Sequence, residues 1–331
     1  MWWTCFQFYV YVLQGFIIAF SNGSLAYAII TQKSLRRSYK IIVWQILVDA
    51  LMGASEMIAG IVRLFIVYFS TKQVRSKQFC MLMPWNIISV WGEPMAAICL
   101  LMVSIDRLLA ITIPITYYKN SQQMQNIQII VWNVMMCSIA LISWCFSFLD
   151  TEQIHSPFCW TTDSMLPIFN TLTLLLTIIA SVSSVLLYVV VFILSKKHAN
   201  RIHGNQKDQQ QYGNTFERQQ RQLTITMGIS CVFTLILYVL PVCAKFTLAN
   251  RLEMDAWGAI QSYATISCNL TPLTNIAVIV LRHREIRRRF INVLSFCPNK
   301  LPLRVNFVRS NIVNMFSPTR SVVGKVSTFT R

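Results

Sequence analysis

Seven long apolar runs dominate the sequence and restrict what the chain can fold into. We place them at about residues 6–30, 41–69, 81–105, 126–149, 165–194, 222–248 and 256–281. Each is long enough to cross a hydrocarbon core of about 30 Å as a helix that rises about 1.5 Å per residue. The short alternating segments of a membrane β-barrel are not seen. The sequence therefore predicts an all-α membrane protein, a bundle of seven transmembrane helices.

Composition excludes the main soluble alternative. A soluble chain of 331 residues would suggest two domains, but 55% of these residues are hydrophobic, only 12% are charged, and the mean hydropathy is +0.51. The net charge of +17 would suit a nucleic acid if it formed one patch. Because the basic residues are spread along loops and the tail, they favour anionic lipid at the inner membrane surface instead.

The first apolar run has a second interpretation, a cleaved secretory signal peptide. The run lacks a basic segment before it, it continues beyond Phe20, and basic residues follow it between positions 33 and 40. A signal peptide has the opposite arrangement, with its basic residues first. We therefore interpret residues 6–30 as a retained span with almost no segment outside the membrane before it.

The orientation of the bundle is predicted by its lysines and arginines. If the N-terminus lies outside, 23 of the 29 fall in inner segments. These segments are residues 31–40, 107–119, 195–221 and 282–331. An excess of Lys and Arg marks the cytoplasmic side, so the N-terminus is predicted outside and the C-terminus inside. Lys72, Arg75 and Lys77 in the first outer loop are an exception to this trend.

A short amphipathic helix and a tail are predicted after the seventh run. Residues 283–296 suit a helix that lies on the inner membrane surface, because apolar residues share one side among arginines. These apolar residues are Ile286, Phe290, Val293 and Leu294. Cys297 is a candidate for palmitoylation, with an unmodified thiol as the alternative. We expect residues 1–296 to form the membrane domain and residues 297–331 a disordered cytoplasmic tail.

Two of the ten cysteines differ from the rest. Most of the others lie inside the predicted helices, where we expect them to behave as small apolar residues. Cys80 and Cys159 both fall on the outer, oxidising side of the predicted topology. A disulfide between them would tie the start of the third helix to the second outer loop, and two unrelated thiols are the alternative.

An acid and a base stand side by side directly after the third apolar run. Asp106 and Arg107 follow a stretch from Met81 to Ile105 that holds only one other charged residue, Glu93. Taken alone, the two residues indicate an interfacial ion pair, because an arginine at a helix end can reach the membrane surface. The residues that follow give a second interpretation.

The segment IDRLLAITIPITYY, residues 105–118, resembles the DRY motif and the following loop of rhodopsin-like G-protein-coupled receptors. It is closer still to the nematode serpentine chemoreceptor class sx, whose motif runs near DRLIAI-x-x-P-I-x-Y. The resemblance implies that this segment is a G-protein coupling switch, in which Asp106 holds Arg107 in the inactive state. The residues of the switch are Asp106, Arg107, Pro114 and Tyr117.

Further landmarks of this family follow in the expected order. Asn22 occupies the position of the helix-one asparagine, Asp49 that of the helix-two aspartate, and Trp132 that of the helix-four tryptophan. Pro241 occupies the helix-six proline position, and the last predicted helix also resembles that of the family. The resemblance implies a sodium site or polar network around Asn22, Asp49 and Asn275. A buried network that only fixes helix packing is the alternative.

Some motifs of the family are incomplete in this chain. The helix-six CWxP pattern reads YVLP, with Val239 at the tryptophan position. The helix-seven NPxxY pattern reads TPLTN, from Thr271 to Asn275, and has no tyrosine. Leu108 is the third member of the DRY triplet. These departures concern the activation switch rather than the architecture.

Ionisable residues inside the spans mark a candidate ligand cavity. Asp49, Glu56 and Arg63 are spaced seven residues apart, so they share one stripe of the second helix. Glu93 in the third helix lies at a depth similar to that of Glu56, and such residues usually face the bundle interior. The predicted ligand residues are Glu56, Arg63, Glu93, Tyr238 and Tyr263. The alternative is that one carboxyl is protonated and hydrogen-bonded, or that Arg63 neutralises it and reaches outward.

Three prolines lie inside predicted helices. They are Pro94 in the third helix, Pro241 in the sixth and Pro272 in the seventh. Each removes a backbone hydrogen bond and can bend its helix. In the family, bends in the last two helices let their inner ends swing outward, and static kinks are the alternative.

The resemblance implies a chemosensory G-protein-coupled receptor of the plasma membrane, or of the sensory cilium in a nematode. We expect it to bind an extracellular small molecule or peptide and to activate a heterotrimeric G protein, with arrestin and a receptor kinase as further partners. The alternatives are a ligand-gated cation channel of the insect olfactory kind, with the opposite orientation, and a small transporter. No enzyme, metal centre or other cofactor is predicted apart from a sodium ion near Asp49, because no zinc motif, phosphate loop or nucleophile elbow is found.

Overall fold

The computed structural model is a bundle of helices. It describes residues 2–69, 76–149, 157–205, 228–229, 232–248, 254–282 and 284–295. Every regular element in these residues is helical. The bundle belongs to one compact unit, Met1–Leu294.

The helices are numbered in chain order. The first six are α1 (Trp2–Ile30), α2 (Lys33–Ser38), α3 (Lys40–Tyr68), α4 (Lys77–Met81), α5 (Pro84–Thr112) and α6 (Pro114–Phe148). The next are α7 (Thr161–Ser164), α8 (Pro167–Asn205), α9 (Leu240–Leu248), α10 (Met254–Arg282) and α11 (Arg284–Ser295). A π-helical turn, Leu235–Val239, leads directly into α9.

Five of the described helices are long and apolar enough to cross a membrane. They are Thr4–Ile30, Lys40–Tyr68, Pro84–Thr112, Lys119–Phe148 and Pro167–Lys197. Two shorter apolar stretches, Val232–Ala244 and Ile266–Leu281, lie where the sixth and seventh spans are predicted. Helices satisfy their own backbone hydrogen bonds, as the interior of a bilayer requires. The described residues are helical as predicted, and their arrangement is consistent with the seven predicted spans.

Large apolar side chains cover the outside of the long helices. Examples are Leu13 and Phe16 in α1, Val134 and Leu141 in α6, and Ile193 in α8, all of them exposed. A water-soluble protein rarely exposes apolar surface on this scale. The outer surface of these helices therefore suits contact with lipid.

Helix α5 lies at the centre of the bundle. It packs against α3, α6 and α8, while α1 packs along α3 and α10 contacts α1 and α9. Ile98 and Met102 of α5 are fully buried in the main apolar core. Any residue that α5 presents inward is therefore close to several other helices.

Glycines allow α1 and α3 to approach closely. A Cβ atom on Gly15 would lie 2.6 Å from the backbone oxygen of Gly53, and one on Gly53 would lie 2.7 Å from the backbone nitrogen of Ala19. Small residues permit such close contact between helices in membranes. Because the two helices run antiparallel, the same register places Asn22 level with Asp49.

Several predicted helix boundaries differ from those in the structure, among them the end of the fifth span, which was predicted at residue 194 whereas α8 continues to Asn205. The third span was predicted at residues 81–105, but α5 begins at Pro84, after the separate helix α4, and continues to Thr112. The fourth was predicted to begin near residue 126, but α6 begins at Pro114 and has one non-helical residue, Asn120. Hydropathy misses the earlier start of α6, because the first turns of this helix are polar and lie outside the apolar run.

Helix α11 lies where a surface helix is predicted, and two of its apolar side chains contact the bundle. Ile286 is only 1% exposed, and Phe290 packs against the main apolar core. The sequence had suggested that these side chains point into the membrane surface. Cys297 and the predicted tail, residues 297–331, lie outside the described residues.

Candidate functional site

Cys80 and Cys159 form a disulfide whose Cα atoms lie 5.0 Å apart. It joins α4 to the segment Pro157–Thr161, which leads into α7. Both cysteines are buried. The predicted disulfide is confirmed, and we call this end of the bundle the disulfide end.

The buried amide of Asn86 ties both cysteines to the start of α5. Its Nδ2 donates to the backbone oxygen of Cys80 at 2.8 Å and to that of Cys159 at 3.2 Å. Its Oδ1 accepts a hydrogen bond from the Thr161 hydroxyl at 2.9 Å. Cys159 has a φ of 45°, a left-handed conformation that is uncommon for a residue other than glycine. These contacts hold the segment in that conformation.

Arg63 reaches the same segment from α3. Its Nε donates to the backbone oxygen of Phe158 at 3.1 Å, and its Nη2 donates to that of Cys159 at 3.4 Å. Its guanidinium carbon lies 4.2 Å from the centre of the Trp160 ring, a cation–π contact. The sequence placed Arg63 in the ligand pocket. In the structure its guanidinium binds the Pro157–Thr161 segment.

Glu93 lies on the inward face of α5 and is nevertheless exposed. Asn86, Ser89, Val90 and Ala97, which share this face of the helix, are all buried. Glu93 is therefore accessible on a face of α5 that otherwise packs against other helices.

Two further polar groups border the same region. Glu93 lies within electrostatic range of Glu56 of α3 and of Tyr238 of the π-helical turn. Asn269 of α10 donates a hydrogen bond from Nδ2 to Glu56 Oε1. Glu56, Glu93 and Tyr238, three of the predicted ligand residues, therefore lie in one region of the bundle. Tyr263, the remaining predicted ligand residue, is 67% exposed.

Asn22, Asp49 and Asn275, for which the sequence predicts a sodium site or a polar network, lie in α1, α3 and α10. Asp49, Asn22 and Asn275 are all buried. Asn22 donates from Nδ2 to the backbone oxygen of Ile18 at 3.0 Å. The Oδ1 atoms of Asn22 and Asn275 have no hydrogen-bond partner among the described residues. The carboxyl group of Asp49 and these two amide oxygens are oxygen ligands of the kind that a hard cation such as sodium prefers.

Side-chain donors connect the helices near Pro241. Proline has no N–H, so it leaves the carbonyl of Leu237, four residues earlier, without its usual donor. The Ser267 hydroxyl of α10 donates to this carbonyl at 2.9 Å. Gln14 of α1 likewise donates from Nε2 to the backbone oxygen of Ile266 at 3.0 Å. Pro94 and Pro272, by contrast, lie inside continuous helices.

Asp106 and Arg107 form an ion pair at the opposite end of α5, which we call the Asp106 end. Arg107 Nη2 lies 3.2 Å from Asp106 Oδ2. Asp106 is only 2% exposed, and α5 continues beyond it to Thr112. The pair therefore lies within the bundle, whereas the composition alone had suggested the membrane surface.

The other carboxylate oxygen of Asp106 accepts two hydrogen bonds. The Tyr117 hydroxyl donates to Oδ1 at 2.7 Å, and Gln125 Nε2 donates to the same atom at 3.1 Å. Burial, and next the negative charge of Asp106, raise the pKa of Tyr117. Tyr117 therefore keeps its proton and remains a donor. Gln125 was not predicted, because a glutamine in a polar segment looks like a solvated residue.

Pro114 and Ile115 lie at the turn between α5 and α6. Pro114 is exposed and begins α6, where its missing N–H has no cost. Ile115 is 86% exposed, beside the ion pair in sequence. The Asp106 end thus presents an apolar side chain that the sequence analysis did not single out. The feature that distinguishes Ile115 is its exposure in the structure, not a pattern in the sequence.

The comparisons with known proteins decide the family. The family model described as serpentine type 7TM GPCR chemoreceptor Srsx matches residues 16–294. The chain belongs to this family. No curated protein matches the chain.

Membership of the Srsx family accounts for the order of the landmarks. The matched range includes both ends of the bundle, from the helix with Asn22 to the helix with Ile286. The resemblance inferred from the motifs is confirmed. This Srsx chain is therefore a multi-pass membrane protein of a chemoreceptor family.

Proposed function

We propose that this chain is a chemosensory receptor that binds an extracellular small molecule and activates a heterotrimeric G protein. The observation that carries the proposal is the buried Asp106–Arg107 ion pair in a chain of the Srsx family. A buried ion pair whose arginine can be released is a two-state element that a ligand and a protein partner can both bias.

The proposal places the disulfide end outside the cell and the Asp106 end inside. Disulfides persist in oxidising surroundings, which supports an extracellular position for Cys80 and Cys159. The excess of Lys and Arg in the sequence segments predicted to be inside supports the same orientation. The N-terminus is then outside, and α11 lies on the cytoplasmic side, where its arginines can contact anionic lipid.

The ligand binds beside Glu93, near Glu56 of α3 and Tyr238 of the π-helical turn. Two carboxylates near one another, with Asn269 already donating to Glu56, favour a ligand that brings positive charge or hydrogen-bond donors. A protonated amine is the class that best meets this requirement. Tyr238 would add an aromatic ring and a hydroxyl, and it shares a hydrogen bond with Thr177 of α8.

The ligand acts through its differential affinity for two states of the bundle. In the inactive state Asp106 holds Arg107. In the active state the helix that contains Pro241 bends outward, Arg107 is released, and the G protein binds at the Asp106 end near Ile115.

Asn22, Asp49 and Asn275 would hold a sodium ion, which supplies positive charge beside the buried carboxyl group of Asp49.

The first test measures basal nucleotide exchange on a panel of heterotrimeric G proteins. Membranes contain the wild-type receptor, Asp106→Asn or Arg107→Ala, at matched surface expression. We expect Asp106→Asn to exceed the wild type, because the neutral amide no longer holds Arg107, and Arg107→Ala to be silent. Equal exchange for all three, at the level of empty membranes, would contradict the assignment of the switch.

A second test addresses the ligand. A panel of small primary amines is compared with carboxylic acids and alcohols of matched size in the same exchange assay. An active amine should lose at least about tenfold in potency with Glu93→Gln, since a close charge pair is worth a tenfold effect or more. Glu285→Gln, which removes an exposed carboxylate in α11, is the matched control. An unchanged potency in Glu93→Gln would remove Glu93 from the site.

A further inference from the structure

We propose that Gln125 is a positioning residue of the coupling switch. With Tyr117, it stabilises the Asp106 carboxylate after Arg107 has been released, and so makes the active state accessible. The inference rests on the proposed function, in which release of Arg107 accompanies G-protein binding. It assigns a role to a residue outside the motif that identifies the switch.

Gln125 directs its amide donor at the switch. Its Nε2 lies 3.1 Å from Asp106 Oδ1 and 3.3 Å from the Tyr117 hydroxyl oxygen. The side chain is only 4% exposed. Burying an amide is costly unless it is hydrogen-bonded, and Gln125 Oε1 has no partner among the described residues. The contacts of Nε2 with Asp106 and Tyr117 are what stabilises this amide in its position.

The contacts on Asp106 divide between its two oxygens. Arg107 pairs with Oδ2, whereas Tyr117 and Gln125 both donate to Oδ1. Departure of Arg107 therefore leaves the two donors in place. Without them, a buried carboxylate would remain with no partner, which is strongly unfavourable.

The two donors belong to the chain segment that directly follows Asp106. Tyr117 and Gln125 both lie in α6, which is joined to α5 through Ile113 alone. Their contacts with Asp106 do not pass through the helix that contains Pro241. An outward movement of that helix can therefore release Arg107 without breaking these hydrogen bonds.

The sign of the effect follows from competition for one negative charge. Hydrogen bonds to a carboxylate are stronger when no cation neutralises it. Tyr117 and Gln125 therefore stabilise the released state more than the paired state. Removing either donor should hold Arg107 more firmly on Asp106, which is the opposite of the effect expected for Asp106→Asn.

The experiment measures the affinity of purified receptor for a nucleotide-free heterotrimeric G protein, without ligand. The G protein is the member of the panel that the wild-type receptor binds most tightly. Because apparent Kd varies inversely with the competent fraction, Gln125→Met and Tyr117→Phe should each raise Kd by about three- to tenfold. Asp106→Asn should lower it.

Two controls separate this role from a general loss of structure. Gln123→Met changes an exposed glutamine of the same helix and should leave Kd unchanged. In the Asp106→Asn background, Gln125→Met and Tyr117→Phe should have no further effect, because their target charge is absent. Thermal unfolding of each variant verifies that the bundle is intact.

The outcomes distinguish this inference from the proposed function. If no G protein binds either the wild type or Asp106→Asn, the proposed function fails and this inference fails with it. If binding is seen and Gln125→Met lowers Kd or leaves it unchanged, the proposed function stands and the role of Gln125 is wrong. An equal loss in the Asp106→Asn background would likewise show a merely structural role.

Discussion

Asn86 shows how strongly a single buried side chain can organise one end of the bundle. It binds the backbone of both disulfide cysteines and accepts a hydrogen bond from Thr161. The disulfide fixes the distance between the two chain segments, while the amide satisfies their backbone oxygens. The two functions are separable by mutation.

We expect Asn86→Leu to lower the free energy of unfolding by about 2–4 kcal/mol, because each buried polar group that loses its partner costs about 1–3 kcal/mol. Trp85 still donates to the Cys159 oxygen at 3.4 Å, which limits the loss. The measurement is thermal unfolding of the purified receptor in detergent. Asn133→Leu is the control, since Asn133 donates to Ile129 of its own helix. Equal losses in the two variants would contradict the role of Asn86.

Conspicuous residues could be predicted from the sequence, whereas neutral amides could not. A charge or an outer cysteine stands out in an apolar chain, so Asp106, Cys80 and Cys159 can be singled out from the sequence. Asn86 and Gln125 carry no charge, and glutamine is common in the segment around residue 125. Their roles depend on which backbone or carboxylate the fold brings beside them.

At the scale of the elements, the α1–α3 pair depends on its glycines. Gly15→Ala should destabilise the bundle by about 1–3 kcal/mol, because the added methyl group meets the backbone of α3 and the helices must separate. Gly23→Ala is the matched control in the same helix, with open space around the added carbon. It should be neutral or slightly stabilising, since alanine favours helix by up to about 1 kcal/mol. Melting temperature and surface expression are the measurements.

A loss of stability in Gly23→Ala similar to that in Gly15→Ala would show that helix flexibility, rather than close packing, decides the effect.

Hydropathy predicted that α1 and α3 exist but not how they pack against each other. Their contact depends on the absence of side-chain atoms at Gly15 and Gly53. The hydropathy of an apolar run is similar whether these positions hold glycine or another small residue. The extension of α6 back to Pro114 was missed for a related reason, because its first turns are polar.

For the whole molecule, the proposed orientation gives a direct test. An epitope tag at the N-terminus should be detected on intact cells, and one at the C-terminus only after permeabilisation. The physical reason is the excess of Lys and Arg in the predicted inner segments of the sequence. A tag within the native C-terminal sequence that is detected on intact cells would contradict this orientation and support the channel alternative.

The order of the spans and the family were predictable from the whole sequence. Both depend on long-range patterns, the seven apolar runs and the spacing of their landmarks, that do not require side-chain contacts. The packing of α11 was not predictable. Ile286 and Phe290 form one apolar side, and such a side can contact either lipid or protein.

Several contacts between helices run from a side-chain donor to a backbone carbonyl. Examples are Gln14 with Ile266, Ser267 with Leu237, and Arg63 with Phe158. A carbonyl is the same whatever side chain its residue carries. Evolution can therefore replace the acceptor residue freely, while the donor residue remains constrained. Such pairs leave no correlated substitutions, so methods that infer contacts from paired changes among relatives will not detect these connections.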